Sequence, residues 1–460
     1  MNFQRKIRVK ISSCGVLGLF TLFTFIIFGC KPKEKEPEVV KTMPPNVLIF
    51  ILDDAGWNDV GYNGSEINTP NIDQLAKDGV ILNRFYVAPT CSPTRAALLT
   101  GMPASRLGIL APISGKSEKT LPSDLITLPM ALSKKGYETA LFGKWHLGLK
   151  PESGPQTYGF DHSYGFLHGQ IDQYSHEYKN GDASWHRNGR FLNEKGHATD
   201  LIGTETIEWL RKQRDTSKPF FAQVAYSAPH FPLQEPAEWI NEYLDIKNES
   251  RRKFAAAMSH VDDDIGKVME FLKKSELLET TMILFMSDNG GMKNWYPTTQ
   301  YNGKHGPNDI LGDNSPLRDY KASNYEGGIR VPAILYWKGK WQAKVSNDFI
   351  SLTDVMPSIL QVAGVEIPTN VEGQPIFNLI SSGTPFENEI YIRGHKQQSL
   401  LKKGWKLIHT PIANEEGNYE LYDIVNDQEE KREVSSQNPE ITSKYIQILN
   451  QHIQKDFNEP

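Results

Sequence analysis

The chain has 460 residues, 39% of them hydrophobic, with 50 Lys and Arg against 55 Asp and Glu for a net charge of −5. That length suits one large core plus a smaller unit, and no internal repeat breaks it up. The mild acidity comes without a basic stripe, so nucleic acid is not an expected partner, and any anion must be held by a local positive cluster.

In chain order, an export signal comes first. Arg5, Lys6, Arg8 and Lys10 form a charged start, and residues 16–28 are an almost wholly apolar run. Ile27-Phe28-Gly29-Cys30 resembles a bacterial lipobox, with a small residue before the cysteine that would be lipidated. The run is shorter than the roughly 20 residues a bilayer requires, so residues 1–30 read as a lipoprotein signal peptide, with an uncleaved anchor as the alternative. Residues 31–44, charged and Pro-bearing, read as a solvated tether. The expectation is an exported protein, lipid-anchored through Cys30 to a bacterial cell envelope, at the outer membrane, the cell surface or the periplasm.

Asn46–Leu52 is a short unbroken apolar run of the kind that forms a buried parallel strand. Residues 73–79 read as a helix. A second helix follows Cys91: Pro93 suits a first turn, Ala96 to Leu99 are good helix formers, and Gly101 with Pro103 stops it. Cys91 is expected just ahead of that helix, where backbone N–H groups and the dipole favour an anion. Cys14 and Cys30 belong to the signal, so Cys91 has no disulfide partner. Further on, a helix over 128–135 precedes a strand over 138–142, a helix over 201–214 precedes a strand over 220–226, and a helix over 249–274 precedes a strand over 282–286. This alternation predicts an α/β unit over 45–364, a mostly parallel sheet flanked by helices. Beyond Gly364, short strands at 389–392, 399–408 and 419–422 and a closing helix over 440–455 predict a small antiparallel α+β subdomain over 365–460.

Polar residues cluster where the strands end. Asp53 and Asp54 follow the first strand, Asp288 and Asn289 the strand over 282–286, Lys144 and His146 a third, and His230 a fourth. Ligands of open α/β sheets bind outside the carboxyl ends of strands, so these segments should converge there. Three acids and an amide are hard oxygen donors, better suited to Ca²⁺ or Mg²⁺ than to Zn²⁺. One Asp-Asp after a strand is ordinarily a turn or a cap; two acidic endings beside a Lys-x-His are harder to explain that way.

The run Cys91-Ser92-Pro93-Thr94-Arg95-Ala96-Ala97-Leu98-Leu99-Thr100-Gly101 resembles the signature of type I sulfatases, Cys-x-Pro-x-Arg followed by Leu-Thr-Gly. Thr94 stands where that family more often has Ser or Ala. The likeness covers residues 46–364 and is weaker beyond. It implies an alkaline-phosphatase-like fold and a maturation enzyme that oxidises Cys91 to formylglycine (3-oxoalanine), the nucleophile once hydrated. It also implies that Asp53, Asp54, Asp288 and Asn289, with residue 91, hold a metal, Ca²⁺ ahead of Mg²⁺. Arg95 and Lys144 would orient the aldehyde hydrate, His146 would act as its base, His230 would face the leaving group and Lys321 would bind sulfate. Gly159-Phe160-Asp161, residues 172–177 and the segment from Leu317 to Gly328 are most similar to arylsulfatase B, the N-acetylgalactosamine-4-sulfatase type. The implied substrate is a sulfated carbohydrate, either an algal polysaccharide such as ulvan or carrageenan or a glycosaminoglycan. A phosphomonoesterase or phosphodiesterase on the same fold would need a Ser or Thr nucleophile and a second His- and Asp-rich metal set. A catalytically dead carbohydrate-binding lipoprotein would not need Arg95, Lys144, His146, His230 and Lys321 intact.

Other residues carry blander expectations. Met258, Val261, Ile265, Val268, Met269 and Leu272 form a helical stripe, so Asp262, Asp263 and Asp264 beside His260 should be a solvated face. Lys304-His305 falls in residues 292–315, expected as a mobile substrate-side loop. His176 could lie at the rim or be structural, and Trp185 with His186 could contact sugar.

Overall fold

A computed structural model describes residues 9–10, 43–296, 299–415 and 417–457; the lipobox-like motif and Cys30 lie outside the described residues. The scaffold of the site is five parallel strands, β1 (Asn46–Leu52), β2 (Glu138–Lys144), β3 (His162–Phe166), β4 (Phe220–Ala225) and β5 (Thr281–Ser287). They lie in the order β5-β1-β4-β2-β3 within a ten-stranded sheet. Ala333–Tyr336 adds antiparallel to β5, and Trp185–Arg187 adds antiparallel to β3.

Both faces of the sheet are covered, which is why β1 is apolar without alternation. Leu48, Phe50 and Leu52 point to one core, with Phe254, Met258, Val261 and Ile265. Val47, Ile49 and Ile51 point to the other, with Leu98, Leu99, Leu128 and Ile359. The flanking helices are α1 (Pro70–Asp78), α2 (Cys91–Thr100), α3 (Leu128–Ser133), α4 (Ala198–Glu208), α5 (Glu249–Lys274) and α6 (Val355–Val362). The expected helix over 201–214 divides, since α4 ends at Glu208 and a π-helical turn follows.

A smaller antiparallel sheet follows in chain order: Glu389–Arg393, Gln398–Lys402, Trp405–Thr410 and Asn418–Asp423. The single strand expected over 399–408 is two strands. Lys403 and Gly404 both take positive φ, 49° and 83°, which makes the tight turn of a hairpin. One face of this sheet packs Leu400, Leu407 and Leu421 against Tyr445 and Leu449 of the closing helix α7 (Pro439–Ile453). The other packs Leu401, Ile408 and Tyr422 against Tyr86 and Ile329 of the main unit.

Two expectations are corrected by packing. Asp262 and Asp264 are buried, because α5 runs beneath both α1 and α4. Asp262 accepts from Asn71 N (3.1 Å) and Ile72 N (2.8 Å), serving free donors in the first turn of α1. Asp264 accepts from the Tyr226 hydroxyl at 2.7 Å. Of the three acids only Asp263 faces outward, paired with Lys267 at 2.9 Å. Trp185 and His186 are also buried, so neither offers a surface to a sugar.

Candidate active site

The strand ends converge as expected. Asp53 N donates to Ala228 O (3.1 Å) and Asp288 N to Leu52 O (3.0 Å), tying the ends of β1, β4 and β5 together. Asp54 has φ 71°, unusual for a residue with a side chain, and its N–H donates to Asp288 Oδ1 at 3.3 Å. Asn289 Nδ2 donates to Asp54 Oδ1 at 2.8 Å. Three cations sit against the three acids: Lys144 Nζ lies 2.5 Å from Asp53 Oδ2, Arg95 Nη2 lies 2.8 Å from Asp288 Oδ2, and Lys321 Nζ contacts Asp54 Oδ1. Arg95 also donates to Lys144 O at 2.9 Å. Lys321 is set from both sides, its N–H donating to Gly291 O (3.1 Å) and the next N–H, of Ala322, to Pro89 O (2.8 Å).

Cys91 is the first residue of α2 rather than the residue ahead of it; Thr90 is the cap, and Pro93 falls in the first turn. Cys91 therefore sits directly at the positive end of the helix. Burial pushes the Cys91 thiol above its ordinary pKa despite the nearby Lys144 and Lys321, so it is not a thiolate nucleophile as it stands.

Three buried oxygens in this cluster, Asp53 Oδ1, Asp54 Oδ2 and Asn289 Oδ1, have no hydrogen-bond partner. Buried polar atoms are normally paired, so a trio of orphaned acceptors on neighbouring residues suits a hard cation. Asp53, Cys91 and Asp288 each offer an atom within 4.8 Å of the others, as do Asp53, Asp54 and His230. Burial, with Asp288 and Asp54, pushes Asp53 up to about 7 against the pull of Lys144 and Arg95. Burial also opposes ionisation of Asp54, but Lys321 and His230 outweigh it and bring its pKa to about 2. Burial works against the Lys321 charge too, yet Asp54 outweighs it and raises that lysine above its ordinary value.

The two histidines have assignable tautomers. His146 Nε2 lies 2.9 Å from Ile113 O, which can only accept, so Nε2 carries the proton. Its Nδ1 has no partner and keeps a free lone pair. Burial, with Lys144 and Arg95, holds His146 well below the ordinary histidine pKa, hence neutral and able to accept a proton. His230 Nδ1 likewise faces Phe231 O at 2.6 Å, leaving Nε2 to face Asp54 Oδ2 at 3.6 Å. Burial pushes His230 down to about 3, against the upward pull of Asp54.

All ten predicted residues meet here, while Lys304 stays exposed on its loop. That loop is docked rather than loose: Trp295 stacks on Phe231 with centroids 3.9 Å apart, and His305 Nε2 lies 3.1 Å from Asp172 Oδ2. His176 is structural, bonded to Gly196 O (3.1 Å) and stacked on Trp185. Sequence reasoning missed Ser92, which donates to His146 O (2.9 Å) and accepts from Ile113 N (3.0 Å). It missed Gly169, where an added Cβ would lie 2.4 Å from His146 Nε2. It also missed Asn314, which brackets Gly291 by bonds of 2.8 and 3.1 Å. None of the three stands beside a strand end marked by acids or bases, and Ser92 occupies a variable position of the Cys-x-Pro-x-Arg run.

The family described as Sulfatase matches residues 45–365, and that described as N-sulphoglucosamine sulphohydrolase, C-terminal, matches residues 319–457. Arylsulfatase J of Mus musculus is 32% identical over 407 residues, 81% of this chain; the chain spans 64% of that relative's length. N-acetylgalactosamine-6-sulfatase of Mus musculus is 30% identical over 388 residues, covering 79% of this chain and 71% of the relative. The solved structure of Ps i-CgsB in complex with k-i-k-neocarrahexaose superposes with a TM-score of 0.81 at 30% identity, over 90% of this chain and 94% of that one. The PsFucS1 sulfatase from Pseudoalteromonas sp. gives 0.76 at 26% identity, over 91% and 92%.

Proposed function

The chain belongs to the sulfatase family, a family of sulfuric ester hydrolases, and we propose that its site hydrolyses sulfate monoesters of carbohydrates. In this reading Cys91 is oxidised by a formylglycine-generating enzyme, and Asp53, Asp54, Asp288 and Asn289 hold a divalent metal, Ca²⁺ ahead of Mg²⁺. The observation that carries it is the trio of orphaned oxygens beside Cys91, backed by three cations, Arg95 and Lys144 buried and Lys321 half-buried.

A sulfate monoester resists attack because its charge repels nucleophiles, and the site answers with Lys144, Lys321 and Arg95. The metal would offset charge on the sulfate oxygens and favour ionisation of the attacking hydroxyl. As a hydrated aldehyde, residue 91 would offer one hydroxyl to attack sulfur and a second whose proton goes to His146, restoring the carbonyl and releasing sulfate. His146 suits that step, since its lone pair at Nδ1 is free and its tautomer is fixed by Ile113. The sugar oxygen leaves with a proton, for which His230 is the first candidate once its Nε2, bare in this structure, has taken one up, and Lys321, already charged, the second.

Relatives named for an N-acetylgalactosamine sulfate, and a neighbour that holds a neocarrahexaose, support a sulfated sugar as the substrate. Glycosaminoglycan fragments of the N-acetylgalactosamine-4-sulfate type and algal galactans are the classes to screen first. From the charged start, apolar run and lipobox-like motif of residues 1–30 we also propose that the protein lies outside the cytoplasm, anchored by lipid on Cys30; a Cys30→Ala variant that still partitions with membranes would count against the anchor.

The deciding experiment pairs a mass measurement of the peptide containing Cys91 with turnover of 4-nitrophenyl sulfate and 4-nitrophenyl phosphate. Conversion to formylglycine with sulfate preferred over phosphate is the expected result. Full turnover with Cys91 unconverted, or preference for phosphate, overturns the reading.

A further inference from the structure

The small C-terminal sheet touches the segment leading into Cys91 through one turn. Arg393 and Gln398 pair across its first two strands, and Gly394 N donates to Gln397 O at 2.9 Å, which leaves His395 and Lys396 at the tip. The turn is pinned. Gln397 Oε1 accepts from Asn324 N (2.9 Å), and Gln397 Nε2 donates to Thr410 Oγ1 (3.0 Å). Gly394 is packed so closely that an added Cβ would lie 2.7 Å from Pro89 Cγ and 3.1 Å from Asn324 Oδ1. Pro89 stands two residues before Cys91, and its carbonyl holds Ala322, the residue after Lys321. The turn thus leans on the two segments that carry the nucleophile position and the sulfate-binding lysine.

His395 and Lys396 are exposed, and neither pairs with an acid among the described residues. That sets them apart from neighbouring bases of the same sheet. Lys402 pairs with Glu389 at 2.7 Å and Lys403 with Glu387 at 3.2 Å. A backbone held this firmly on both flanks has already lost its freedom, so a ligand binding there meets little further ordering cost.

We propose that His395 and Lys396 form a second anion subsite, which takes a sulfate or carboxylate on the sugar next to the one being hydrolysed. The substrate class is then a polyanionic oligosaccharide rather than a singly sulfated sugar. The lysine supplies a charge and the imidazole an N–H donor, the pairing that oxyanions favour. This rests on the sulfatase reading of the same site, and it makes the C-terminal subdomain part of substrate recognition.

The test uses the converted full-length chain and competition against 4-nitrophenyl sulfate by oligosaccharides from carrageenan and chondroitin sulfate, matched in pairs with one and two anionic groups. The wild type should bind the doubly charged member of at least one pair about tenfold more tightly. That preference should shrink as salt is raised. In the double variant His395→Gln, Lys396→Gln the ratio should fall to about one, while Lys402→Gln keeps it; melting temperatures report that each variant is folded. No preference in the wild type across the panel, or a preference that survives in the double variant, overturns the subsite. A converted wild type that fails to turn over 4-nitrophenyl sulfate strikes the sulfatase reading instead, and calorimetric titration of the same pairs then decides the subsite separately.

Discussion

Gly169→Ala tests the role of His146 without touching any group that reacts. An alanine Cβ would lie 2.4 Å from His146 Nε2 and 2.5 Å from its Cε1. Non-bonded carbons rest about 3.5–4.0 Å apart, so the ring must give way by roughly 1 Å. It has little room to do so in place. Nε2 is bonded to Ile113 O, and His146 itself sits at φ 59°. Gly169 is not among the glycines at positive φ, so the substitution acts through the ring rather than by backbone strain. A misplacement of about 1 Å typically costs about 10²-fold in rate, and here it falls on the step that releases sulfate. Rapid-mixing kinetics with 4-nitrophenyl sulfate separate the steps. Under the proposed mechanism release of nitrophenol does not use His146, so the variant should show a burst near one equivalent, then a steady state about 10²-fold slower than wild type. A variant with no burst and both phases slowed alike, or a steady state within about threefold of wild type, would refute the assignment of His146 to the second step.

Lys321 and Lys304 are separated by their surroundings. Lys321 is half-buried against Asp54, while Lys304 is exposed on its loop. Lys321→Ala should lower turnover of a small aryl sulfate by at least about 10²-fold, whereas Lys304→Ala should change mainly KM for large sugars; the reverse pattern in steady-state kinetics would show that the sulfate lysine has been misassigned. His260 predicts a pH-dependent stability. Burial lowers its pKa, but Asp200 (3.3 Å) and Glu235 (2.6 Å) outweigh burial and raise it from 6.5 to about 9. Its contribution is therefore complete below pH 6.5 and fades as pH rises through 9, an effect on the order of 3 kcal/mol. The melting temperature of His260→Gln should lie furthest below wild type at pH 6 and converge on it above pH 9; a gap that stays flat or widens over that range would contradict this.

The fold was legible where a strand had to be buried on both faces. Asn46–Leu52 and Glu249–Lys274 match their expected bounds because an unbroken apolar run and a long 3.6-residue stripe each have one structural solution. Asp53, Asp54, Lys144, His146, His230, Asp288 and Asn289 were legible as a group because two acidic strand endings beside a Lys-x-His are hard to explain as turns or caps, whereas Arg95 and Lys321 came from the resemblance to the sulfatase signature. What escaped was set by tertiary contact. Asp262 and Asp264 lie on the flank of an amphipathic helix, and only the approach of α1 and α4 turns that flank into interior; nothing in the periodicity of α5 foretells it. At Gly203 of α4 an added Cβ would lie 1.9 Å from Asp264 Oδ2, so that glycine permits the approach. Gly169 and Asn314 act on catalytic groups through packing and backbone bonds that no local pattern encodes.

The charge of the site explains how an acidic protein can bind an anionic substrate. Asp53, Asp54 and Asp288 are matched one to one by Lys144, Lys321 and Arg95, so with all three acids ionised, as a bound cation would favour for Asp53, the charges cancel. All of this cluster but Lys321 is buried, and burying unmatched charge would be costly, so the pairing is what makes the site compatible with folding. A divalent ion held by the orphaned oxygens of Asp53, Asp54 and Asn289 would then leave the site two units positive. In a low-dielectric setting that excess outweighs the distant, screened surface charge behind the net −5 of the chain. The same arithmetic assigns the cations a second use. Each carries its charge on a carboxylate before substrate arrives and can share it with a sulfate oxygen afterwards, so transition-state charge meets partners that are already in place.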